Sequence, residues 1–257
     1  MCMATERLIL DTVPTPSTPL HIFIFGSTLA VYNTHYLLKR SREDISDRFA
    51  WSQHYRLWHF LVLTTGLIGC TWSLFYLDKD ILVACGILGV LSFAYSLPML
   101  PLKNKKSLRE FGWVKILILT AVWTIVTSVL PILYHETSLA AYPFEILLRF
   151  VFLFTLCVAF DIRDMQTDLE AGISTLPNLI GVKNSYRLMD GALVLFAALS
   201  VVQYFRYPSA MRLGGELVAA VATRLVIQYS KHHSSDRVYL GLVDGMMLLY
   251  AALVLLH

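Results

Sequence analysis

Apolar residues gather along the chain into eight stretches, near 20–38, 57–77, 81–99, 116–134, 143–160, 188–205, 214–230 and 238–256. Each comes close to the roughly 20 residues that a helix needs to cross a hydrocarbon core of about 30 Å. The pattern predicts an all-α protein, a polytopic transmembrane bundle of about eight spans. Pro98, Pro131, Pro143 and Pro208 fall near stretch ends, where a proline caps or stops a helix instead of breaking it. Trp51, Trp58, Tyr76, Tyr95, Trp113, Tyr134, Tyr142, Tyr204 and Tyr207 gather at the same ends, as interfacial anchors do. The fifth stretch carries Glu145 and Arg149 in its first turns, four residues apart and so able to pair along one helix face. Ahead of the first stretch, residues 1–19 hold Pro14, Pro16 and Pro19 and are expected as an extended, non-spanning lead-in to a single domain covering 1–257.

Composition agrees. The chain is 56% hydrophobic and 15% charged, with a mean hydropathy of +0.61, whereas soluble domains carry about 25% charged residues. Its net charge of +3 is too small to argue for a nucleic-acid partner. Cys2, Cys70, Cys85 and Cys157 lie far apart without metal-ligand spacing, which predicts packing residues and neither disulfides nor zinc. No basic segment leads a hydrophobic one at the N-terminus, so no cleavable signal peptide is expected.

Threading eight spans across a bilayer sorts the basic residues. One side receives Lys39, Arg40, Arg42, Arg48 and Arg56, then Lys103, Lys105, Lys106, Arg109 and Lys115, then Arg163, Lys183 and Arg187, then Lys231 and Arg237. The other side receives Lys79, Arg206 and Arg212. The positive-inside rule makes the first side cytoplasmic. Both termini then fall outside, which a missing first helix would explain for the N-terminus.

Candidate chemistry centres on Phe160 to Pro177, FDIRDMQTDLEAGISTLP. Asp161, Asp164 and Asp168 stand at offsets of zero, three and seven, which share one face of a helix. Solvated loop acids balanced by Arg163 are the plain alternative. Against that, Asp161 directly follows the apolar VFLFTLCVAF, and charge at a membrane boundary is costly and usually functional. Three converging carboxylates suit Mg2+, which takes hard oxygen ligands and is completed by substrate phosphates. The loop YSLPMLPLKNKKSLREFGWVK offers a second element: Tyr95 and Lys103, with Lys106 or Arg109, would make a cationic wall for a diphosphate, or the loop serves only as a positive-inside signal. At the end of the first stretch, Asn33 is a candidate metal or substrate ligand or a partner for a neighbouring helix, and His35 reads as interfacial.

These residues resemble the UbiA superfamily of intramembrane prenyltransferases. The run Asp161-Ile162-Arg163-Asp164 through Asp168, then Ala171-Gly172 and Thr175-Leu176-Pro177, is similar to that family's second aspartate-rich motif, and Tyr95-Ser96-Leu97-Pro98 with Lys103 to its tyrosine and lysine loop. The resemblance implies a bundle, usually of nine helices, around an apolar cavity. Mg2+ there is held by two aspartate motifs on a prenyl diphosphate, whose ionisation gives an allylic cation that alkylates a lipophilic acceptor. It implies Asp161, Asp164 and Asp168 as catalytic metal ligands. Asn33, Arg40, Tyr95, Lys103, Lys106, Arg163 and Thr175 are implied as diphosphate contacts.

The chain departs from this pattern at Asn33 to Ser41, the match to the first motif: Asn33 is kept, while Thr34, Leu37 and Ser41 stand where the family has carboxylates. Arg40 and Arg42 beside it could supply positive charge in place of a lost metal. Ser174 replaces a basic residue of the second motif. Because the first motif normally ends the family's second helix, its position here predicts that the first helix is missing, through a truncated gene start or a short family member. The expected function is a Mg2+-dependent membrane prenyltransferase acting on a prenyl diphosphate and an aromatic or other lipophilic acceptor. The alternative is a non-catalytic relative that binds a prenyl lipid or quinone. A transporter is disfavoured because the spans lack a midplane carboxylate series, and the CDP-alcohol phosphatidyltransferase spacing is not present.

Overall fold

A computed structural model describes residues 1–38, 55–96, 112–170, 172–233 and 235–256. Ten helices succeed one another, with no strand among the described residues. They are α1 (Cys2–Leu10), α2 (Pro19–Leu38), α3 (Arg56–Leu74), α4 (Lys79–Ser96), α5 (Gly112–Tyr134), α6 (Pro143–Glu170), α7 (Leu176–Ile180), α8 (Val182–Arg206), α9 (Ala210–Ser230) and α10 (Val238–Leu255). The eight long rods overlap the eight apolar stretches one for one, with different ends. Five of them, α3, α5, α6, α8 and α10, are long and apolar enough to cross a membrane. Large apolar side chains also stand exposed on several rods, including Phe25, Ile68, Val194 and Leu248, which in water would be a liability and in lipid is ordinary.

Two compact units make up the chain, Thr15–Leu82 and the remainder, Met1–Pro14 with Val83–His257. In the smaller unit α2 packs along α3. A Cβ on Gly26 would lie 2.7 Å from the Gly66 carbonyl oxygen, and one on Gly66 equally close to that of Gly26. Only glycine at both positions lets the backbones approach this far, the usual way helices associate in lipid.

In the larger unit α6 is the central rod, packed against α5 and α8, while α9 packs on α8 and α10. Pro143 opens α6, where its missing N–H costs nothing. Phe152 of α6, Phe196 of α8 and Tyr250 of α10 meet with ring centroids 4.8–5.5 Å apart and lock three rods together. The expected pairing of Glu145 with Arg149 is present and belongs to a larger buried network: Arg212 Nη2 donates to Glu145 Oε2 at 2.8 Å and Arg212 Nε to Glu216 Oε1 at 3.0 Å.

The extended lead-in expected for residues 1–19 is corrected at its start, because Cys2–Leu10 is helical and lies against α5 and α10. Its anchoring has a local cause. Within α5, Ile125–Val129 is a π-helical segment, and Pro131 has no N–H to offer the Thr127 carbonyl four residues back. Thr5 Oγ1 donates to that carbonyl at 2.8 Å, and Cys2 Sγ to the Val126 carbonyl at 3.4 Å. Thr5 also accepts from Arg149 Nη2 at 3.1 Å, tying α1 into the ion network.

Candidate active site

Helix α6 does not stop where its apolar stretch ends. It continues ten residues past Phe160 to Glu170, since Arg, Met, Gln, Leu and Glu are all good helix formers. Asp161, Asp164 and Asp168 therefore lie on the last turns of one rigid rod. The turn after it is bent back by Gly172, with φ +74°, and short α7 follows with Pro177 in its first turn.

The three acids do not share one partner. Lys115, in the first turn of α5, donates from Nζ to Asp168 Oδ2 at 2.6 Å and stands 3.0 Å from Asp161 Oδ1. Asp164 instead accepts a bidentate pair of hydrogen bonds from Arg163, 2.6 Å to Oδ1 and 2.9 Å to Oδ2. The Arg163 guanidinium is held in turn over the rings of Phe160 and Tyr239, at 4.9 and 5.6 Å from their centroids. Asp161 is only 4% exposed, and its Oδ2 has no hydrogen-bond partner among the described residues. No group of three His, Cys, Asp or Glu side chains stands close enough to hold a metal ion among the described residues. Two carboxylates bracketing one ammonium are what the motif presents.

Lys115 owes its position to Gly112. At Gly112 φ is +32°, and a Cβ there would lie 2.1 Å from the Ser174 carbonyl oxygen. The start of α5 thus rests directly on the loop that follows the aspartate motif, and Lys115, one turn on, faces the acids.

The other expected site residues are distributed differently. Thr175 is fully buried, and its Oγ1 accepts from Asn178 Nδ2 at 3.2 Å. Asn33 is buried in the smaller unit, donating from Nδ2 to the Leu29 carbonyl at 2.8 Å and meeting His59 Nδ1 at 2.8 Å through Oδ1. The contact with His59 joins Asn33 to the neighbouring helix α3. Tyr95 falls in the last turn of α4. Arg40, Lys103 and Lys106 lie outside the described residues, as do Arg42 and Arg109.

The UbiA prenyltransferase family profile matches residues 53–241, which is most of the chain and includes the whole aspartate motif. The chain belongs to the UbiA prenyltransferase family. Two solved structures of a UbiA homolog from Archaeoglobus fulgidus share the fold. One, bound to GPP and Mg2+, aligns with a TM-score of 0.65 at 12% identity, covering 98% of this chain and 93% of the homolog. The other, bound to Cd2+, aligns with a TM-score of 0.59 at 14% identity, covering 99% and 94%. No curated protein matches. Family and apolar rods together make this UbiA member an integral membrane protein, and the all-helical bundle expected from the sequence is the fold of that family.

Proposed function

We propose that this UbiA member transfers an isoprenyl group from a prenyl diphosphate to an aromatic or other lipophilic acceptor, in a Mg2+-dependent reaction at the cytoplasmic end of the bundle. The observation that carries the reading is the pair Asp161 and Asp168. They already share one cation, and Asp161 keeps a buried Oδ2 without a hydrogen-bond partner among the described residues. Hard carboxylate oxygens bracketing a cation at the end of an apolar bundle are a donor set that fits Mg2+. The A. fulgidus homolog bound to GPP and Mg2+ supports the same ligands for a protein of this fold.

In this reading Asp161 and Asp168 would hold the metal, with Asp164 beside them in an orientation fixed by Arg163. Bound there, Mg2+ would neutralise the charge that develops on a departing diphosphate. Tyr95, Lys103, Lys106 and Arg40 are assigned to the diphosphate, the basic residues by charge and Tyr95 by its hydroxyl. Thr175 and Asn33, whose polar atoms are engaged within the protein, are assigned to the framework. The apolar rods would house the prenyl tail and keep water from the allylic cation.

The test is an assay of purified protein against prenyl diphosphates of several lengths, with Mg2+ or with chelator, scoring pyrophosphate release. Release that needs Mg2+ and falls at least about a hundredfold in Asp161→Asn and in Asp168→Asn is expected. Release that persists in both variants overturns the mechanism. Mg2+-dependent binding of a prenyl diphosphate without release under any condition would instead make this a lipid-binding relative.

A further inference from the structure

In the sequence Lys115 is one more basic residue among many, yet its ammonium contacts two acids of the aspartate motif at 2.6 and 3.0 Å. Its ammonium is largely enclosed, with a side chain 13% exposed between carboxylates that are 6% and 16% exposed. Nothing in its placement is incidental: the positive φ of Gly112 and the contact of its backbone with Ser174 hold the first turn of α5 against the motif. Arg163 cancels Asp164 and Lys115 cancels one of the remaining two acids, so the motif carries one uncompensated negative charge in place of three. That residual charge has an address, since Asp161 Oδ2 is buried and without a partner among the described residues.

We propose that Lys115 is a resident cation of the aspartate motif that exchanges with the divalent metal: it holds Asp161 and Asp168 in a metal-ready pose, yields them when metal and diphosphate arrive together, and then turns its ammonium to the diphosphate. The inference rests on the prenyl diphosphate reading above. Its physical basis is competition. An ammonium 2.6 and 3.0 Å from two carboxylates occupies the oxygens that a metal at those acids needs, and charge-assisted hydrogen bonds of this length are among the stronger ones. A metal arriving alone must displace Lys115 into a partly enclosed site without a new anion for it. A metal arriving with a diphosphate brings that anion, and Lys115 exchanges one partner for another. Metal and diphosphate therefore bind with positive coupling, set by one residue. No bond is made or broken in the exchange, and the lysine stays protonated throughout. The device also keeps the motif compact between turnovers, because two carboxylates without a cation would repel each other.

The experiment titrates purified protein in detergent micelles with Mn2+, counting free ion by its EPR signal, with and without geranyl diphosphate. Wild-type protein is expected to bind Mn2+ weakly alone and at least about tenfold more tightly with the diphosphate. Lys115→Met is expected to bind Mn2+ alone about tenfold more tightly than wild type and to gain less from the diphosphate. Lys115→Arg, which keeps the charge, should behave as wild type. Lys115→Gln carries the same expectation as Lys115→Met and guards against a variant that fails to fold. Equal or weaker Mn2+ binding by both neutral variants, while wild type still takes up Mn2+ with geranyl diphosphate, overturns the exchange and leaves the functional reading standing. Wild-type protein that takes up Mn2+ under neither condition overturns both.

Discussion

At about 100° per residue, Asp168 stands about 20° around α6 from Asp161 and Asp164 about 60°. That difference accounts for how the acids divide: the nearly aligned pair meets Lys115, and the one set further round turns to its neighbour Arg163. The sequence spacing showed a common face and could not show this division, because Lys115 lies 53 residues from Asp168 and no local pattern links them. A lysine two residues beyond a glycine–tryptophan pair looks like the edge of a loop. The signal that could have found it is its place directly before an apolar stretch, at a membrane boundary where an uncompensated ammonium is costly. Arg163 offers a prediction at this scale. Its planar fork makes two bonds to Asp164 while lying over Phe160 and Tyr239, neither of which an ammonium reproduces. Arg163→Lys is expected to lower unfolding stability in detergent by about 1 kcal/mol. In a double-mutant cycle, its effect combined with Asp164→Asn should be smaller than the sum of the two.

Helix boundaries show where hydropathy and helical structure part. The apolar scan ends the fifth stretch at residue 160 and begins the fourth at 116, whereas α6 runs to Glu170 and α5 starts at Gly112. Hydropathy reports which residues lipid accepts, while backbone propensity reports which residues continue a helix. The mismatch at both ends is where the candidate site lies, because polar residues on continued helix are held on a rigid rod. Helix α1 has no hydropathy signal for another reason: nine residues are too few for a span, and what anchors it is a proline-orphaned carbonyl more than a hundred residues away. Gly112 is the element on which the site's geometry depends. Gly112→Ala puts a Cβ into the Ser174 carbonyl and forces an L-residue to a positive φ. It should cost about 2 kcal/mol or more in unfolding stability and weaken Mn2+ uptake in the presence of geranyl diphosphate. Gly191→Ala, in open space within α8, should be neutral or stabilise by up to about 1 kcal/mol. Equal behaviour of the two variants would show that the contact with Ser174 is not what holds α5.

Across the larger unit, α6 carries a polar centre toward each end, and their charges distinguish them. Glu145 lies sixteen residues before Asp161, about 24 Å away along the rod. Around it two arginines, Arg149 and Arg212, face two glutamates, Glu145 and Glu216, with Thr5 Oγ1 accepting a further bond from Arg149. This set balances internally, and Arg149 is fully buried over the ring of Tyr250. The aspartate motif, by contrast, retains one unbalanced carboxylate. A balanced network within lipid stabilises by mutual pairing and has no charge left for a ligand, whereas an unbalanced one needs a cation to arrive. The expected consequence is a clean separation of stability from chemistry. Arg149→Met removes one cation from the balanced set and leaves Glu145 short of a partner, so it should lower unfolding stability by about 3–5 kcal/mol. Assayed well below its own melting temperature, it should keep Mg2+-dependent pyrophosphate release within about twofold of wild type. Asp168→Asn should do the reverse, losing release while melting within a few degrees of wild type, because Lys115 keeps Asp161 as a partner. If Arg149→Met instead abolished release from a folded protein, the two ends of α6 would be one functional system, and the division of labour argued from their charge balance would fall.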